Sequence, residues 1–321
     1  MSKPFTQGQH VEVEFISCPG CNAQGCKQIT TSFDYDYMTT EQAFQIVRCL
    51  DCKLIYVNPR PKPSEISKIY PSNYSAYHFS NIRNSVIKNA RSFMQTRKAQ
   101  RILSCFSAAN LKIRIVDVGC GTPTLLTMMR QVGGDAVDLY GNDFYADALH
   151  AIEAAGFKTV PGKFEEVDWE SDFFDAIVMN QVIEHLFDVQ GALEKSYRLL
   201  KSGGILFIET PSNEGLDAKI FRRNHWGGYH VPRHLQIFNS HTIKRALERH
   251  GFSIDTIEYI PSPNFWTSSF RNLLIRKGVP HSLTSKMNYK SIFFMMIFTI
   301  LDILTKPFHP TSNMRIVARK T

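Results

Sequence analysis

Four cysteines form two pairs of equal spacing, Cys18-Pro19-Gly20-Cys21 and Cys49-Leu50-Asp51-Cys52. A Cys-x-x-Cys turn folds back sharply enough to aim two thiolates at one point. Two such turns complete the tetrahedral sulfur shell that zinc prefers. A shell closed by Cys18, Cys21, Cys49 and Cys52 leaves no position for water, so the metal it predicts is structural. Cys26 reads as a spare thiol, and Cys105 and Cys120 fall in other regions. The competing reading is four unligated buried cysteines, against which stands the rarity of two such pairs by chance.

A different chemistry is written at Ile115-Val116-Asp117-Val118-Gly119-Cys120-Gly121. An apolar strand that meets Asp117 and then two glycines one residue apart lets the backbone turn sharply and approach a ligand. It does so at the edge where open α/β sheets bind cofactors. A second run, Leu139-Tyr140-Gly141-Asn142, ends in Asp143 about 20 residues on, where a carboxylate can accept both hydroxyls of a ribose. Position 124 is Thr, so the third glycine of the dinucleotide fingerprint is missing. A cofactor without phosphates therefore fits better than NAD.

Imidazoles gather at Glu184-His185 and in His225-Trp226-Gly227-Gly228-Tyr229-His230-Val231-Pro232-Arg233-His234. A loop at this edge of the sheet reaches over the cofactor. An exposed loop has little reason to collect Trp226, Tyr229 and three histidines. His234 is the first candidate general base and His185 the second, with Arg233 as a clamp for an acidic or phosphorylated acceptor. The structural alternative is a lid whose polar groups bond to backbone.

These groups need a scaffold, and the hydrophobic pattern supplies one. From Leu111 short apolar runs alternate with helical stretches, the signature of βαβ units and a parallel sheet. Strands are predicted at Ile113–Val118, Val137–Asn142, Thr159–Val160, Ala176–Met179, Ile205–Glu209, Ser253–Tyr259 and Met314–Ala318. Helices are predicted at Tyr145–Ala155, Gly191–Leu200 and Thr242–His250, the last capped by Ser240. The chain divides into a zinc-binding segment (1–63), a helical linker or cofactor cap (64–110) and an α/β domain (111–321) with insertions at about 212–238 and 261–312. Tyr70, Tyr74 and Tyr77 cluster before the linker helix, predicted at Ser85–Phe106.

Composition, 43% apolar and 21% charged, argues for a folded protein and against a disordered or fibrous one. A net charge of +8 and a pI near 9.1 favour anionic partners. Much of the basic excess, however, lies on the linker helix at Arg83, Lys88, Arg91, Arg97, Lys98 and Arg101, where a solvated face is the simpler reading. The N-terminal residues lack the apolar run needed for secretion, so a cytoplasmic location is expected. In that reducing compartment paired cysteines hold metal more often than disulfides. Ile292–Leu304 is apolar apart from Thr299 and Asp302 and too short to cross a bilayer. It reads either as a buried or pocket-lining helix or as a helix lying on a membrane surface.

The order DVGCGTP, LYGNDF, FDAIVMNQVIEHLFD, LKSGGILFIETPS resembles the class I S-adenosylmethionine-dependent methyltransferases over residues 111 to about 212. With HWGGYHVPRHLQIFN, HGF and MRIVARK the similarity extends to bacterial members that carry an N-terminal zinc-binding segment. The resemblance implies a Rossmann-like α/β sheet, mostly parallel with the last strand antiparallel, beside a small zinc-ribbon-like segment. It implies S-adenosylmethionine as cofactor. Gly119 and Gly121 would face its methionine part and Asp117 its amino group. Asp143 would hold the ribose, Phe144 pack on the adenine, and Phe164 and Glu165 flank the adenine edge. Asn180 and Gln181 would line the opening toward the sulfonium. Glu184-His185 resembles a pair in ubiquinone-type O-methyltransferases, where a Glu three residues earlier helps bind a divalent ion. Gln181 stands at that position here and is a poorer ligand, so no catalytic metal is expected.

The activity expected is methyl transfer to a small molecule or glycan precursor. An RNA base methyltransferase is the enzymatic alternative, set back by Asn180-Gln181-Val182-Ile183 where an Asn-Pro-Pro-Tyr type of motif would stand. A cofactor-binding protein without turnover is the third reading.

Overall fold

Short apolar runs become a seven-stranded sheet in the computed structural model, which describes residues 9–71, 74, 85–106 and 112–321. Tyr77 and Arg83 lie outside the described residues. The sheet takes β6 (Ile113–Val118), β7 (Val137–Asp143), β8 (Lys158–Pro161), β9 (Phe174–Asn180), β10 (Leu200–Pro211), β12 (Phe252–Ile260) and β13 (Asn313–Lys320), in the spatial order β12-β13-β10-β9-β6-β7-β8. Strands β8, β7, β6, β9 and β10 are parallel neighbours, and β13 runs antiparallel between β10 and β12.

Alternation along the central strands divides the core in two. Ile115, Val178 and Phe207 face α2 (Ser85–Leu103) and α3 (Thr124–Gly133), whereas Val116, Ile177 and Leu206 face α5 (Val189–Leu199) and α7 (Ser240–Arg249). A parallel sheet covered on both faces needs such continuously apolar strands. Helix α4 (Ala146–Ala154) follows β7. The chain order reverses beside β6, so the ends of β6, β7 and β9 open a crevice of the kind that holds ligands in such sheets. The cap of α7 is Asn239 rather than Ser240. Its side chain accepts from Thr242 N, and the Thr242 hydroxyl in turn accepts from the Asn239 backbone N–H at 2.9 Å.

The cysteine-bearing segment contributes β1 (Val13–Glu14), β2 (Cys26–Ser32), β3 (Phe44–Cys49), β4 (Ile55–Val57), β5 (Arg60–Pro61) and the one-turn α1 (Ile66–Ile69). Its main sheet has the order β11-β4-β3-β2, and β11 (Gln236–Ile237) comes from far along the chain. Gln236 pairs with Tyr56 and Ile237 with Ile55. A third apolar cluster joins Phe44, Ile46 and Val57 of this sheet to Trp226, Trp266 and Phe298. The N-terminal segment and both insertions therefore share one core. The second insertion holds α8 (Pro263–Arg276), α9 (His281–Thr284) and α10 (Ile292–Thr305), while α6 (Leu216–Ile220) belongs to the first. In α10 only Phe298 and Asp302 are buried, so the expectation of a buried helix holds for its inner edge alone.

Candidate active site

Gly119 and Gly121 follow β6 with φ of +62° and +54°, the left-handed region that favours glycine. A Cβ on Gly119 would lie 2.8 Å from Val182 Cγ2, so the turn also needs the missing side chain to pass Val182. Asp143, buried at the end of β7, turns toward this turn: Oδ2 accepts from Gly121 N at 3.0 Å and Oδ1 from Tyr145 N at 3.0 Å. Burial pushes its carboxyl above the usual range, and these backbone amides oppose the shift. Asp143, Phe144, Phe164 and Glu165 line one cavity of about 140 Å³. Phe164 is buried in its wall and Phe144, 50% exposed, stands at the rim. Asn142 donates to Val160 O and Gly162 O, tying down the loop that carries Phe164.

A second cavity of about 360 Å³ adjoins the first and ends on Asp117. Burial pushes the Asp117 carboxyl up to about 7, with Lys98 opposing and Asp143 adding to the rise. Lys98 reaches in from α2, with Nζ 2.6 Å from Glu209 Oε2 and donating to Asn180 Oδ1 at 2.7 Å. Arg315 braces Glu209 from the other side. Gln181 has φ of +57°; its amide N–H donates to Glu209 O and its side chain to Asn313. Asn180 and Gln181 both line this cavity, and Gly119, Gly121, Gln181 and His185 line both.

His185 and His234 sit on the wall of the larger cavity, ring centres 4.7 Å apart, with His230 4.8 Å from His234. A carbonyl can only accept. The approach of His185 Nδ1 to Arg233 O (3.0 Å) and of His234 Nδ1 to Gly228 O (2.8 Å) therefore puts the proton on Nδ1 in both rings. Burial depresses both imidazoles, His185 to about 3 and His234 well below its usual range, and neighbouring histidines add to this. Both are neutral near pH 7 with Nε2 unprotonated. Glu184, beneath them, is pushed up to about 8 by burial, against the Thr210 hydroxyl bound to Oε2 at 3.0 Å; Oε1 has no protein partner and lies 4.0 Å from His234 Nε2. Glu184, His185 and His234 each bring one ligand-type atom within 4.8 Å of the other two. The sequence did not announce this trio because His234 arrives from the insertion.

Arg233 does not line either cavity. Its guanidinium forms a fully buried pair with Asp34 and also donates to Ile69 O and His230 Nε2. The expected clamp on an acceptor is therefore replaced by a brace: these bonds hold the histidine segment against the N-terminal one. Asp36, two residues on, bridges His230 (2.5 Å) and Arg271 and lines the larger cavity with Tyr37 and Tyr74. Sequence reasoning missed Asp34, Asp36 and Lys98 as site groups; the one local signal was the repeat Asp34-Tyr35-Asp36-Tyr37.

The four cysteines converge as their spacing predicts. Sγ of Cys18 lies 3.5 Å from that of Cys52, and Cys21 3.6 Å from Cys49, with all four inside 4.8 Å. A tetrahedron with metal–sulfur bonds of about 2.3 Å has edges of about 3.8 Å, so the sulfurs are spaced for one ion. Burial opposes ionisation at Cys49, yet the amides of Cys52 and Asp51 outweigh it and bring the thiol down to about 7. The knuckle is held to the α/β domain by Gln190 donating to Pro19 O and Arg249 to Gly20 O.

Comparison with known proteins agrees with this geometry. A methyltransferase domain family model matches residues 90–257, just over half of the 321-residue chain. A ubiquinone biosynthesis O-methyltransferase of Chelativorans sp. (strain BNC1) is 31% identical over 101 residues, 30% of this chain and 40% of that protein. The mitochondrial ubiquinone biosynthesis O-methyltransferase of Mus musculus is 26% identical over 169 residues, 48% of this chain and 46% of that protein. The chain thus spans less than half the length of these two relatives. Among solved structures, a phosphoethanolamine N-methyltransferase 2 of Haemonchus contortus in complex with S-adenosyl-L-methionine shares the fold, with a TM-score of 0.51 and 16% identity over 92% of this chain and 68% of that one. The matched residues carry the glycine turn, Asp117, Asp143 and the β9 end that enclose the paired cavities, and the chain belongs to the methyltransferase domain family.

Proposed function

We propose that this chain transfers a methyl group from S-adenosylmethionine to a small-molecule or glycan-precursor acceptor, with a structural zinc ion in the Cys18, Cys21, Cys49 and Cys52 shell. The observation that carries the reading is the pair of cavities meeting at Gly119, Gly121, Gln181 and His185. The smaller suits a nucleoside: Phe144 and Phe164 offer aromatic faces, Asp143 a buried carboxylate for ribose hydroxyls, and the glycine turn a cradle that a Cβ would close. Asp117 provides a carboxylate for the amino group of the methionine part. When bound, S-adenosylmethionine supplies an electrophilic methyl group.

The chain's own residues then position the acceptor and handle its proton. The larger cavity is polar around Gln95, Asn264, Arg271 and Asn288, which suits an acceptor rich in hydroxyl, amine or acidic groups. Orientation alone supplies much of the acceleration, with effective molarities of roughly 10⁵–10⁸ M in favourable models. His185 Nε2 and His234 Nε2 are the unprotonated atoms that receive a proton from the acceptor. A base held this far below its usual range takes that proton in step with bond formation rather than beforehand, and adds less than the roughly 10²–10⁴-fold of a base matched to the operating pH. Glu184 Oε1 stands 4.0 Å from His234 Nε2, beside the imidazolium that forms.

The test is transfer of labelled methyl groups into fractionated cell extract. Label is expected in small-molecule or glycan-precursor fractions with the wild-type protein and in none with His185→Gln/His234→Gln. Label confined to RNA, with RNA binding that weakens steeply with salt, would replace the acceptor assignment. Cofactor binding without any labelled product would remove the enzymatic claim.

A further inference from the structure

Helix α10 turns an apolar face to solvent. Phe293, Met296, Ile297, Ile300, Ile303 and Leu304 are 43–67% exposed, and Phe308 beyond the helix is 80% exposed. At 3.6 residues per turn the six helical positions fall in one stripe about 120° wide. The opposite edge is pinned inward. Asp302 accepts from Trp266 Nε1 at 2.8 Å and from Ser262 N at 2.5 Å, and Phe298 stacks on Trp266 and Phe270. These bonds fix the rotation of the helix about its axis, so the apolar stripe cannot roll into the core. A contiguous stripe of this kind on a folded chain marks an interaction site.

Charge decides what covers it. Between residues 276 and 310 the exposed ions are Arg276, Lys277, Lys286, Lys290 and Lys306, and the single acidic residue of that stretch, Asp302, is buried. A second copy of the chain would set these cations against their equals. A bilayer rich in anionic head groups satisfies the apolar stripe and the cations together. The helix has 14 residues, and among the described residues no helix is long and apolar enough to cross a membrane. We propose that α10 docks in the plane of an anionic phospholipid surface, apolar stripe down and cations toward the head groups. Asn288 and Tyr289, just ahead of the helix, line the larger cavity. Docking therefore sets that cavity beside the bilayer. The proposal does not depend on methyl transfer.

Flotation of the full chain with vesicles tests it. Capture by vesicles of phosphatidylcholine with phosphatidylglycerol is expected to exceed capture by phosphatidylcholine alone at least about tenfold and to weaken as salt rises. The variant Phe293→Ser/Ile300→Ser/Leu304→Ser is expected to lose that capture while keeping the wild-type melting curve, since the three side chains face solvent. Equal capture by both vesicle types, or undiminished capture of the variant, overturns the proposal. So does a concentration-dependent dimer that the same variant abolishes, which would assign the stripe to a second copy.

Discussion

Asp143 and Asp34 are both buried carboxylates, and their surroundings give them opposite work. Asp143 has two backbone amides and an open cavity before it, whereas Asp34 is closed on Arg233. Replacing Asp143 by Ala is expected to weaken S-adenosylmethionine binding by about 100-fold or more, because two charge-assisted bonds to ribose hydroxyls are lost. Calorimetry reads the affinity, and a melting curve shows whether the fold survives; unchanged affinity would refute the ribose assignment. Replacing Asp34 by Ala strands a buried guanidinium and should cost about 3–5 kcal/mol in denaturant unfolding. A loss under about 1 kcal/mol would show that water or another group takes over. Asp143 was legible because it ends an apolar run at a set distance from the glycine turn. Asp34 was not, since its partner lies 199 residues away and nothing in the neighbouring sequence encodes that pairing.

Elements with a strong repeating pattern were readable, and short ones were not. The strands from β6 to β13 in the large sheet were found because continuous apolar runs bounded by turns have few other uses. Strand β11, two residues long, carries no periodicity of its own, and it becomes a strand only because β4 offers an edge. Helix α8 begins at Pro263, a residue suited to the first helical turn, but it lies in the 261–312 insertion, where only the strongly apolar Ile292–Leu304 run was singled out as a helix. Asn239 outcompetes Ser240 as a cap because only Asn239 sits three residues before Thr242. Replacing Asn239 by Ala should cost about 1 kcal/mol, measured by urea unfolding, and the Ser240 equivalent far less. The cysteine knuckle makes a sharper prediction. Elemental analysis should find about one zinc per chain, lost in Cys49→Ser, and chelation should lower the melting temperature. A metal-free preparation with an unchanged melting curve would remove zinc from the account.

For the molecule as a whole, the buried acids and histidines set a pH profile. Asp117 and Glu184 hold protons up to about 7 and 8, above their usual 3.8 and 4.5. Their contribution to stability is fully present at low pH and is lost as pH rises through those values. His185, held near 3 against a usual 6.5, works the other way: its contribution is present above 6.5 and lost on acidification. Above pH 6.5, where the histidine contribution is complete, the melting temperature of the ligand-free protein should therefore fall until both acids are ionised at about pH 8 and level off beyond, and S-adenosylmethionine should flatten this alkaline limb by pairing its ammonium with Asp117. A melting temperature still rising across that limb would contradict the burial of these acids. The mostly parallel sheet with its last strand antiparallel was readable from the family resemblance and not from chain order, since β6 lies between β9 and β7 and β13 between β12 and β10. The joining of both insertions to the N-terminal segment was not, because the cluster that Phe44, Trp226 and Trp266 share is set by packing alone. That joining also orders events in time. A ribosome adding roughly 5–20 residues per second releases Ile55–Val57 about 10–35 s before Gln236–Ile237. Through that interval the β4 edge that β11 will cover has no partner from this part of the chain, whereas all four clustered cysteines, residues 18 to 52, have already emerged.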